Sequence, residues 1–398
     1  MKNILSDRIN KLSESATLAM AGLCRELKSQ GQSVVDLSLG EPDFNTPDIV
    51  KDAAKTAIDN NFTFYTPVSG YLDLRKAICS KLKRDNNLDY TPEQIVVSNG
   101  AKQSIANAVL SLVNPGDEVL LPAPFWVSYS EIIKLAEGVP VYINAKIDAD
   151  FKVTPEQVEA AITPKTKVFL FSSPCNPTGS VYSKEELRKL AEIFAKHKNI
   201  YIIADEIYEY INFKDGHQSI GQFDFIKENV ITINGVSKGF AMTGWRIGYL
   251  AAPTFIAKAC DKLQGQITSA PSSIAQKAAL MAMNADLAIV KKMVKIFKER
   301  RDLVLSLLKE IPGLKTNTPE GAFYVYPEIS YYIGKSDGKT KINTDNDFCM
   351  YLLKSVQVAT VPGSAFGAPN YIRISYATSN DLLVEAIHRM KKALAELK

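Results

Sequence analysis

The sequence predicts an α/β protein: a large domain built on a mostly parallel, seven-stranded sheet flanked by helices, beside a smaller α+β domain. Two observations lead to this prediction. Between residues 94 and 251, short apolar runs alternate with longer helical patterns, which is the order expected of a parallel sheet covered by helices. Most of these runs are continuously apolar rather than alternating, as in strands that are buried on both faces.

The candidate strands and the helical patterns between them can be placed in order along the chain. The predicted strands span 94–98, 117–121, 139–143, 167–171, 200–205, 230–234 and 247–251. The stretches AKQSIANAVLSLV and SKEELRKLAEIFAKH have helical periodicity. In the second stretch, Ser183 is the expected N-cap and Glu186 completes a capping box.

The C-terminal part has a different pattern. A helix from about 286 to 310 leads to the segments FYVYP, VQVATVPG and YIRISYA, with helices predicted around 345–354 and from 381. The insert GKSDGKTKINTDND is polar and contains glycines, which predicts a surface loop. We therefore predict an N-terminal segment, 1–47, that joins the small domain, a large domain, 48–285, and a small C-terminal domain, 286–398.

The composition excludes several classes of protein. The chain has 398 residues, of which 46% are hydrophobic and 23% charged, and a net charge of +4. This mild charge gives no reason to expect nucleic acid or an anionic membrane as a partner. No apolar run approaches the roughly 18 residues of a membrane-spanning helix, and the N-terminus lacks the pattern of a secretory signal. The five cysteines have no CxxC spacing, which predicts reduced thiols and a cytoplasmic location.

Histidines are rare in this chain. The three that occur, His197, His217 and His388, lie far apart in the sequence. We therefore expect no metal site and no Ser-His-Asp triad. His217 lies in the polar stretch KDGHQS and is predicted to be a surface residue.

Polar residues follow the ends of the predicted strands, where open parallel sheets bind their ligands. After the first strand, SNGAKQS places the amides of Gly100 and Ala101 at a helix N-terminus, which is suited to phosphate. The other strand ends deliver, in chain order, Trp126, Asn176, Asp205, Tyr208, Ser237 and Lys238, with Arg246 at the head of the last strand.

A phosphorylated, planar, cationic aromatic aldehyde would use all of these groups, and pyridoxal 5'-phosphate is such a molecule. A lysine forms a Schiff base with the aldehyde. A carboxylate keeps the ring nitrogen protonated, so that the ring can accept electrons. A phenol and an amide can hydrogen-bond the 3-oxygen of the ring. The sequence therefore predicts pyridoxal phosphate as the cofactor.

The segment SKGFAMTGWRIGY resembles the lysine signature of the fold type I pyridoxal-phosphate enzymes, specifically the class I/II aminotransferases. SPCNPTG, DEIYE, LGEPDFNTP and YTPVSGYLDLRKAI resemble the other blocks of that family, in the same order. The resemblance runs from about Ser13 to the C-terminus. It is strongest to the bacterial aspartate aminotransferase branch, which carries SAT near its start and GAKQ or GGKQ in the phosphate loop.

The resemblance implies roles for the cofactor-binding residues. Lys238 would form the Schiff base and move the proton, Asp205 would pair with the ring nitrogen, and Tyr208 would contact the 3-oxygen together with Asn176. Trp126 would stack on the ring. The phosphate would be held by Gly100, Ala101, Ser237 and Arg246, with Tyr65 reaching in from a second subunit. The implied assembly is a homodimer with active sites at the subunit interface.

The resemblance also implies a substrate site for amino acids and 2-oxo acids. Arg373, in YIRISYA, would clamp the α-carboxylate through a bidentate fork. Gly40, Trp126 and Asn176 would line the same pocket. A distal carboxylate would meet Lys102, Ser15 and Thr17.

Several of these residues have structural alternatives. Asp205 at a strand end is also a suitable helix N-cap. Trp126 is also consistent with core packing. Arg373 on an apolar strand has an internal ion pair as its alternative, since a buried unpaired arginine is costly. Lys102, the second residue of its helix, is also consistent with a solvated position.

The favoured function is ping-pong transamination between L-aspartate and 2-oxoglutarate, giving oxaloacetate and L-glutamate. Because Lys102 is a mobile charge, neutral amino acids, aromatic amino acids and prephenate remain open as partners. Other fold type I enzymes, such as a C–S β-lyase, share the cofactor blocks and also remain open. A non-enzymatic regulator would be expected to lack Lys238 or Asp205, and a nicotinamide dehydrogenase would need a GxGxxG after a strand, which does not occur here.

Overall fold

The computed structural model describes residues 4–214 and 216–398. Its strands are β1 (Val35–Asp36), β2 (Ile95–Asn99), β3 (Glu118–Ala123), β4 (Val139–Asn144), β5 (Thr166–Ser172), β6 (Tyr201–Asp205), β7 (Val230–Gly235), β8 (Ile247–Ala251), β9 (Tyr324–Val325), β10 (Val358–Ala359), β11 (Val361–Pro362) and β12 (Ile372–Ser375). Its α-helices are α1 (Asp7–Asn10), α2 (Ala16–Ser29), α3 (Asp48–Asp59), α4 (Leu72–Asn86), α5 (Ala101–Leu112), α6 (Ser128–Leu135), α7 (Pro155–Ala161), α8 (Lys184–Lys196), α9 (Thr254–Ile267), α10 (Ser273–Asn284), α11 (Ala288–Leu308), α12 (Asp345–Val356) and α13 (Asn380–Ala395).

The predicted seven-stranded sheet is confirmed. Its strand order is β2-β8-β7-β6-β5-β3-β4. The pairs among β7, β6, β5, β3 and β4 are parallel, whereas β8 runs antiparallel to both β2 and β7. The strands β5, β6, β7 and β8 are buried almost throughout, which explains why their sequences are continuously apolar. The edge strand β4 is mostly half-buried or exposed.

The helix that follows β5 shows how the sequence sets element boundaries. The predicted capping box is present: Ser183 Oγ accepts from the Glu186 amide at 3.2 Å, and the Ser183 amide donates to Glu186 Oε2 at 2.7 Å. The apolar face of α8 then packs on the sheet, with the rings of Phe194 and Phe169 5.0 Å apart.

The C-terminal part forms two small sheets. In one, β1 from the N-terminal segment pairs in parallel with β10. In the other, β12 lies between β11 and β9, antiparallel to both. Arg300 on α11 also makes a bidentate ion pair with Asp43, with distances of 2.7 and 2.8 Å. The division into 1–47, 48–285 and 286–398 stays a prediction, which these pairings support.

The polar insert differs slightly from its prediction as a loop. Residues 334–343 lie outside regular helix and strand, but Thr344 is already the N-cap of α12, which begins at Asp345. Thr344 Oγ1 accepts from the Asp347 amide at 3.1 Å. Polar side chains at the start of a helix accept hydrogen bonds from its free amides. The first residues of α12 therefore have the same polar composition as the loop before them. No helix in the described part of the chain is long and apolar enough to cross a membrane.

The strand directions bring distant residues to one edge of the large sheet. β2, β5, β6 and β7 run the same way, so their carboxyl ends meet there. Since β8 runs the opposite way, its first residue is at that edge too, with Ile247 opposite Asn99. This explains why Arg246, at the start of a strand, lies with residues that follow the ends of the others.

Candidate active site

A single cleft of about 330 Å³ lies at this edge of the sheet. It gathers all of the predicted site residues except Gly100 and Tyr65. The predicted residues that line it are Ser15, Thr17, Gly40, Ala101, Lys102, Trp126, Asn176, Asp205, Tyr208, Ser237, Lys238, Arg246 and Arg373. The roles that the resemblance implies for them stay predictions.

Lys238 follows β7 and its amine lies inside the cleft. Its Nζ donates a hydrogen bond to the carbonyl oxygen of Gly40 at 2.6 Å. The pKa of the Lys238 amine is lowered to about 8, mainly by burial and also by the charges of Arg373 and Arg246, while Glu41 and Asp205 oppose the shift. A lysine with such a pKa is partly neutral near neutral pH, which a nucleophilic or proton-transferring amine requires.

Asp205 ends β6 and is 4% exposed. One carboxylate oxygen, Oδ2, accepts from the Tyr129 hydroxyl at 2.6 Å, and the other accepts from the Ile207 amide at 3.2 Å. Burial raises the pKa of Asp205 to about 6, while those two hydrogen bonds oppose the shift. The carboxylate is thus held in a fixed orientation and is suited to pair with a buried cation.

The N-terminus of α5 and Arg246 form the part of the cleft suited to phosphate. Gly100 precedes α5 with φ at +83°, and a Cβ there would lie 2.3 Å from Arg246 Nη2. The guanidinium donates to the Asn99 carbonyl at 3.2 Å and to the Thr243 carbonyl at 2.9 Å. Gly100 therefore allows Arg246 to lie against the helix start, beside the cleft-lining Ala101 and Ser237, where free amides and a positive charge favour an anion.

Lys102 and Trp126 form one wall. Lys102 Nζ lies 4.9 Å from the centroid of the Trp126 ring. Burial lowers the pKa of Lys102, and the neighbouring Arg246 contributes to this. Ser15 stands at the N-cap position of α2 without a side-chain capping hydrogen bond. The hydroxyl of Thr17 is buried without a hydrogen-bond partner among the described residues.

Arg373 on β12 is 1% exposed. Its Nη1 donates to Asn176 Oδ1 at 2.9 Å and its Nη2 donates to the Ser38 carbonyl at 2.5 Å. Its Nε has no hydrogen-bond partner, and no carboxylate pairs with the guanidinium in the described part of the chain. A buried guanidinium held only by neutral groups is suited to bind an anionic ligand, because its charge is otherwise uncompensated.

Two predicted residues lie outside the cleft of this chain. Gly100 lies behind Arg246, as described above. Tyr65 is 98% exposed. Its predicted role, to reach into the site of a second subunit, stays a prediction.

The sequence analysis missed two tyrosines that line the cleft, Tyr129 and Tyr324. Tyr129 lies one helical turn after Trp126, and the two rings meet edge to face at 5.4 Å; this spacing is a signal that could have identified it. Tyr324 on β9 places its hydroxyl 2.6 Å from that of Tyr208. No local signal indicates that contact, since it joins residues 116 positions apart.

The prediction that His217 is a surface residue is wrong. Its side chain is 6% exposed, and its Nε2 lies 3.0 Å from Glu206 Oε2. Ligand atoms of Glu206, Glu209 and His217 lie within 4.8 Å of one another. The buried ammonium of Lys81 already contacts Glu209 and supplies a cation there. The polar composition around His217 concealed this, because the segment folds back over Glu206.

The donor set in the cleft fits pyridoxal phosphate. A buried amine, a buried carboxylate and a phenol line one cavity, with the N-terminus of α5 and Arg246 at its side. The unpartnered Nε of Arg373 and hydroxyl of Thr17 are further polar groups available to a ligand. An aldehyde, a ring nitrogen, a 3-oxygen and a phosphate would each find a partner of suitable chemistry.

The chain is similar to known aminotransferases over most of its length. Residues 32–390 match the family model described as aminotransferase class I and II. An aspartate/prephenate aminotransferase of Cereibacter sphaeroides is 46% identical over 403 residues, 99% of each chain. A bifunctional aspartate aminotransferase and glutamate/aspartate-prephenate aminotransferase of Petunia hybrida is 47% identical, over 99% of this chain and 83% of the relative.

Solved structures give the same result. The crystal structure of the aspartate aminotransferase from Rhizobium meliloti superposes with a TM-score of 0.96 at 42% identity and covers all of both chains. The Thermus thermophilus aspartate aminotransferase with maleate has a TM-score of 0.93 at 40% identity, and the match covers 99% of this chain and 100% of the other.

Proposed function

Because the chain belongs to the aminotransferase class I and II family, we propose that it transfers the amino group of L-aspartate to 2-oxoglutarate. The products are oxaloacetate and L-glutamate, and the cofactor is pyridoxal 5'-phosphate. The five free cysteines are consistent with a cytoplasmic location, which forms part of the proposal.

The observation that carries the proposal is the buried Arg373 in the same cleft as Lys238 and Asp205. Its guanidinium pairs with no carboxylate among the described residues, and it lies beside the Asn176 amide. An α-carboxylate bound to Arg373 would place the α-carbon of an amino acid within the space that also contains the Lys238 amine. Every amino-acid and 2-oxo-acid substrate has such a carboxylate, so one arginine serves both half-reactions.

Four side chains and one backbone amide would make the main contacts with the cofactor. Lys238 would hold it covalently, Asp205 at its ring nitrogen, and Tyr208 at its 3-oxygen. Arg246 and Ala101 would hold its phosphate, with the contributions of Gly100, Ser237, Asn176 and Trp126 that the family resemblance implies. When bound, pyridoxal phosphate supplies an electron sink that makes the proton on the substrate α-carbon acidic.

The residues of the chain supply the proton transfers. With a pKa of about 8, the Lys238 amine could accept the proton from the substrate α-carbon and deliver it to the C4' carbon of the cofactor. Asp205 would stabilise a positive charge at the ring nitrogen of the bound cofactor, because its buried carboxylate is held in place by Tyr129 and the Ile207 amide. Arg373 and Asn176 orient the substrate so that its α-carbon faces the amine.

The side chains around Lys102 support a dicarboxylate as the class of substrate. Lys102 is a cation over the Trp126 ring, and Ser15 and Thr17 add hydroxyl groups. Aspartate and 2-oxoglutarate are both dicarboxylates, so one cation can serve both. The names of relatives and the maleate bound to the Thermus thermophilus enzyme support a dicarboxylate.

Prephenate is the second candidate partner. It has two carboxylates and an unsaturated ring, and the Lys102–Trp126 wall offers a cation and an aromatic face. The relatives from Cereibacter sphaeroides and Petunia hybrida are both named for prephenate as well as aspartate. We include it as a second amino acceptor.

The absorbance spectrum of the purified protein tests the proposal. We expect a visible band after loading with pyridoxal phosphate, which aspartate shifts to the near ultraviolet and 2-oxoglutarate restores. The Lys238→Ala variant should lose the visible band and turnover. A wild-type protein without a band after loading would contradict the cofactor. Release of pyruvate and ammonia from a cysteine conjugate, without an added 2-oxo acid, would indicate a lyase instead.

A further inference from the structure

Tyr324 connects the substrate arginine to the phenol predicted to contact the cofactor. We infer that Tyr324 is a positioning residue that couples carboxylate binding at Arg373 to the hydrogen bonding of the Tyr208 phenol. This inference rests on the proposed function and names a residue that acts through another. Tyr324 itself belongs to β9, in the C-terminal part of the chain.

The first step is the contact between the two phenols. Their oxygens lie 2.6 Å apart, and the side chains of Tyr208 and Tyr324 are 4% and 0% exposed. Each phenol has one proton to donate. Tyr208 can donate to the 3-oxygen of the cofactor only if the proton between the phenols comes from Tyr324. Tyr324 therefore fixes the direction in which Tyr208 donates.

The second step is the contact between Tyr324 and Arg373. The guanidinium carbon lies 4.5 Å from the centroid of the Tyr324 ring, which is a cation–π geometry. Burial raises the pKa of Tyr324, and the charge of Arg373 opposes this shift. The free guanidinium thus makes Tyr324 a better donor to Tyr208, and a carboxylate bound to Arg373 weakens this effect.

The third step is the restraint on the Tyr324 hydroxyl. A Cβ on Gly40 would lie 2.6 Å from that oxygen, so the hydroxyl occupies space that only a glycine leaves free. The carbonyl of Gly40 accepts from Lys238, and the Ser38 carbonyl two residues earlier accepts from Arg373. The hydroxyl is therefore held between Tyr208 and the segment that carries these two carbonyls.

The coupling has a definite sign. In a chain of hydrogen bonds, a stronger donation to the Tyr208 oxygen makes Tyr208 a stronger donor in turn. A weaker hydrogen bond from Tyr208 leaves the 3-oxygen of the cofactor more basic. The midpoint of the pH titration of the visible absorbance then lies at a higher pH. Carboxylate binding at Arg373 and removal of the Tyr324 hydroxyl should both act in this direction.

The test is a pH titration of the visible absorbance of the loaded protein, with and without maleate as a non-reacting dicarboxylate. In Tyr324→Phe, we expect the midpoint without maleate to rise by about one pH unit, which corresponds to roughly one hydrogen bond. Maleate should then shift the midpoint by less than the wild-type shift, because its direct charge effect and the path through Asn176 remain while the path through Tyr324 is lost.

Tyr326→Phe is the matched control. Tyr326 lies two residues along the chain, is equally buried, and donates to carbonyls of Gly363 and Ala368. The Tyr326→Phe variant should titrate like the wild type. Comparable thermal unfolding midpoints of Tyr324→Phe and Tyr326→Phe would show that both variants fold. A Tyr324→Phe protein that titrates like the wild type in both conditions overturns the inference alone. A wild type that binds no pyridoxal phosphate overturns the proposed function and the inference together.

Discussion

Asp205 shows at the scale of one residue how a functional group is maintained at the expense of stability. Because its folded-state pKa of about 6 exceeds the reference value of 3.8, the folded protein binds more protons than the unfolded chain between these values. The cofactor-free protein therefore loses stability as the pH rises through this window, and the loss remains above pH 6.

We expect Asp205→Asn to abolish this titration. The free energy of unfolding of the variant, relative to that of the wild type, should rise by on the order of 2 kcal/mol between pH 4 and pH 7.5. Urea unfolding of both cofactor-free proteins at the two pH values measures the change. Parallel pH profiles would show that the buried carboxyl does not titrate in this range.

Lys102 is the residue that we expect to select dicarboxylates. Lys102→Ala should lower kcat/KM for aspartate by about 10- to 100-fold, the equivalent of one charge-assisted hydrogen bond. Alanine, which has no distal carboxylate, should be used as before. The control is Lys184→Ala at the exposed start of α8. Equal losses for aspartate and alanine would exclude Lys102 from the specificity site.

The limits of sequence reasoning are clear at this scale. Lys238 and Asp205 could be found because they follow apolar strands, and parallel strands end at one edge. Tyr129 has a local signal in its spacing from Trp126, but its contact with Asp205, 76 residues away, has none. Tyr324 could not be found, because it meets Tyr208 only through tertiary structure, 116 residues away. The burial of His217 was not predicted for the same reason, since it depends on a tertiary contact with Glu206.

At the scale of elements, the long strands were predictable and the short ones were not. A strand of five to seven residues that is mostly apolar leaves a detectable pattern, and all seven strands of the large sheet have this length. β1 and β10 have two residues each, too few for a period. Their pairing also joins positions more than 300 residues apart, which no local signal specifies.

The contact of β8 with the start of α5 gives a prediction about elements. A Cβ on Gly248 would lie 2.1 Å from the Ala101 amide nitrogen and 2.4 Å from the Gly100 carbonyl carbon. Gly248→Ala must therefore displace the first turn of α5, although residue 248 does not line the cleft. We expect the dissociation constant of pyridoxal phosphate to rise more than about tenfold, as one lost phosphate contact would produce.

Gly244→Ala is the control for this prediction, since a Cβ there meets nothing within 4 Å. Both variants are loaded with pyridoxal phosphate and titrated by absorbance, using the fraction that remains folded. Unchanged affinity in Gly248→Ala would mean that the position of the helix start does not determine phosphate binding.

At the scale of the whole molecule, the segment around Tyr65 predicts self-association. Phe64 is 79% exposed and Tyr65 98%, with Ile58 and Leu72 about half exposed nearby in sequence. Exposed apolar side chains in one segment are typical of a protein interface. We expect sedimentation to give twice the chain mass of 43.9 kDa.

Phe64→Glu should yield monomers that lose most of their activity, because Tyr65 would no longer reach a second cleft. The control is Phe225→Glu. Phe225 is 50% exposed and precedes β7, so it lies at the opposite end of the strands from the cleft. An active wild-type monomer would rule out a shared active site.

The attachment of the N-terminal segment to the C-terminal strands determines when the molecule becomes complete during synthesis. Every strand of the large sheet has been synthesised once Ala251 has been added, so the cofactor side can begin to fold before the later part of the chain is made. Gly40 and Ser38 are made far earlier still, yet they wait for Arg373, which comes near the end. A nascent chain would therefore acquire its binding site for a substrate carboxylate only after Arg373 has been made, well after the strands of the large sheet.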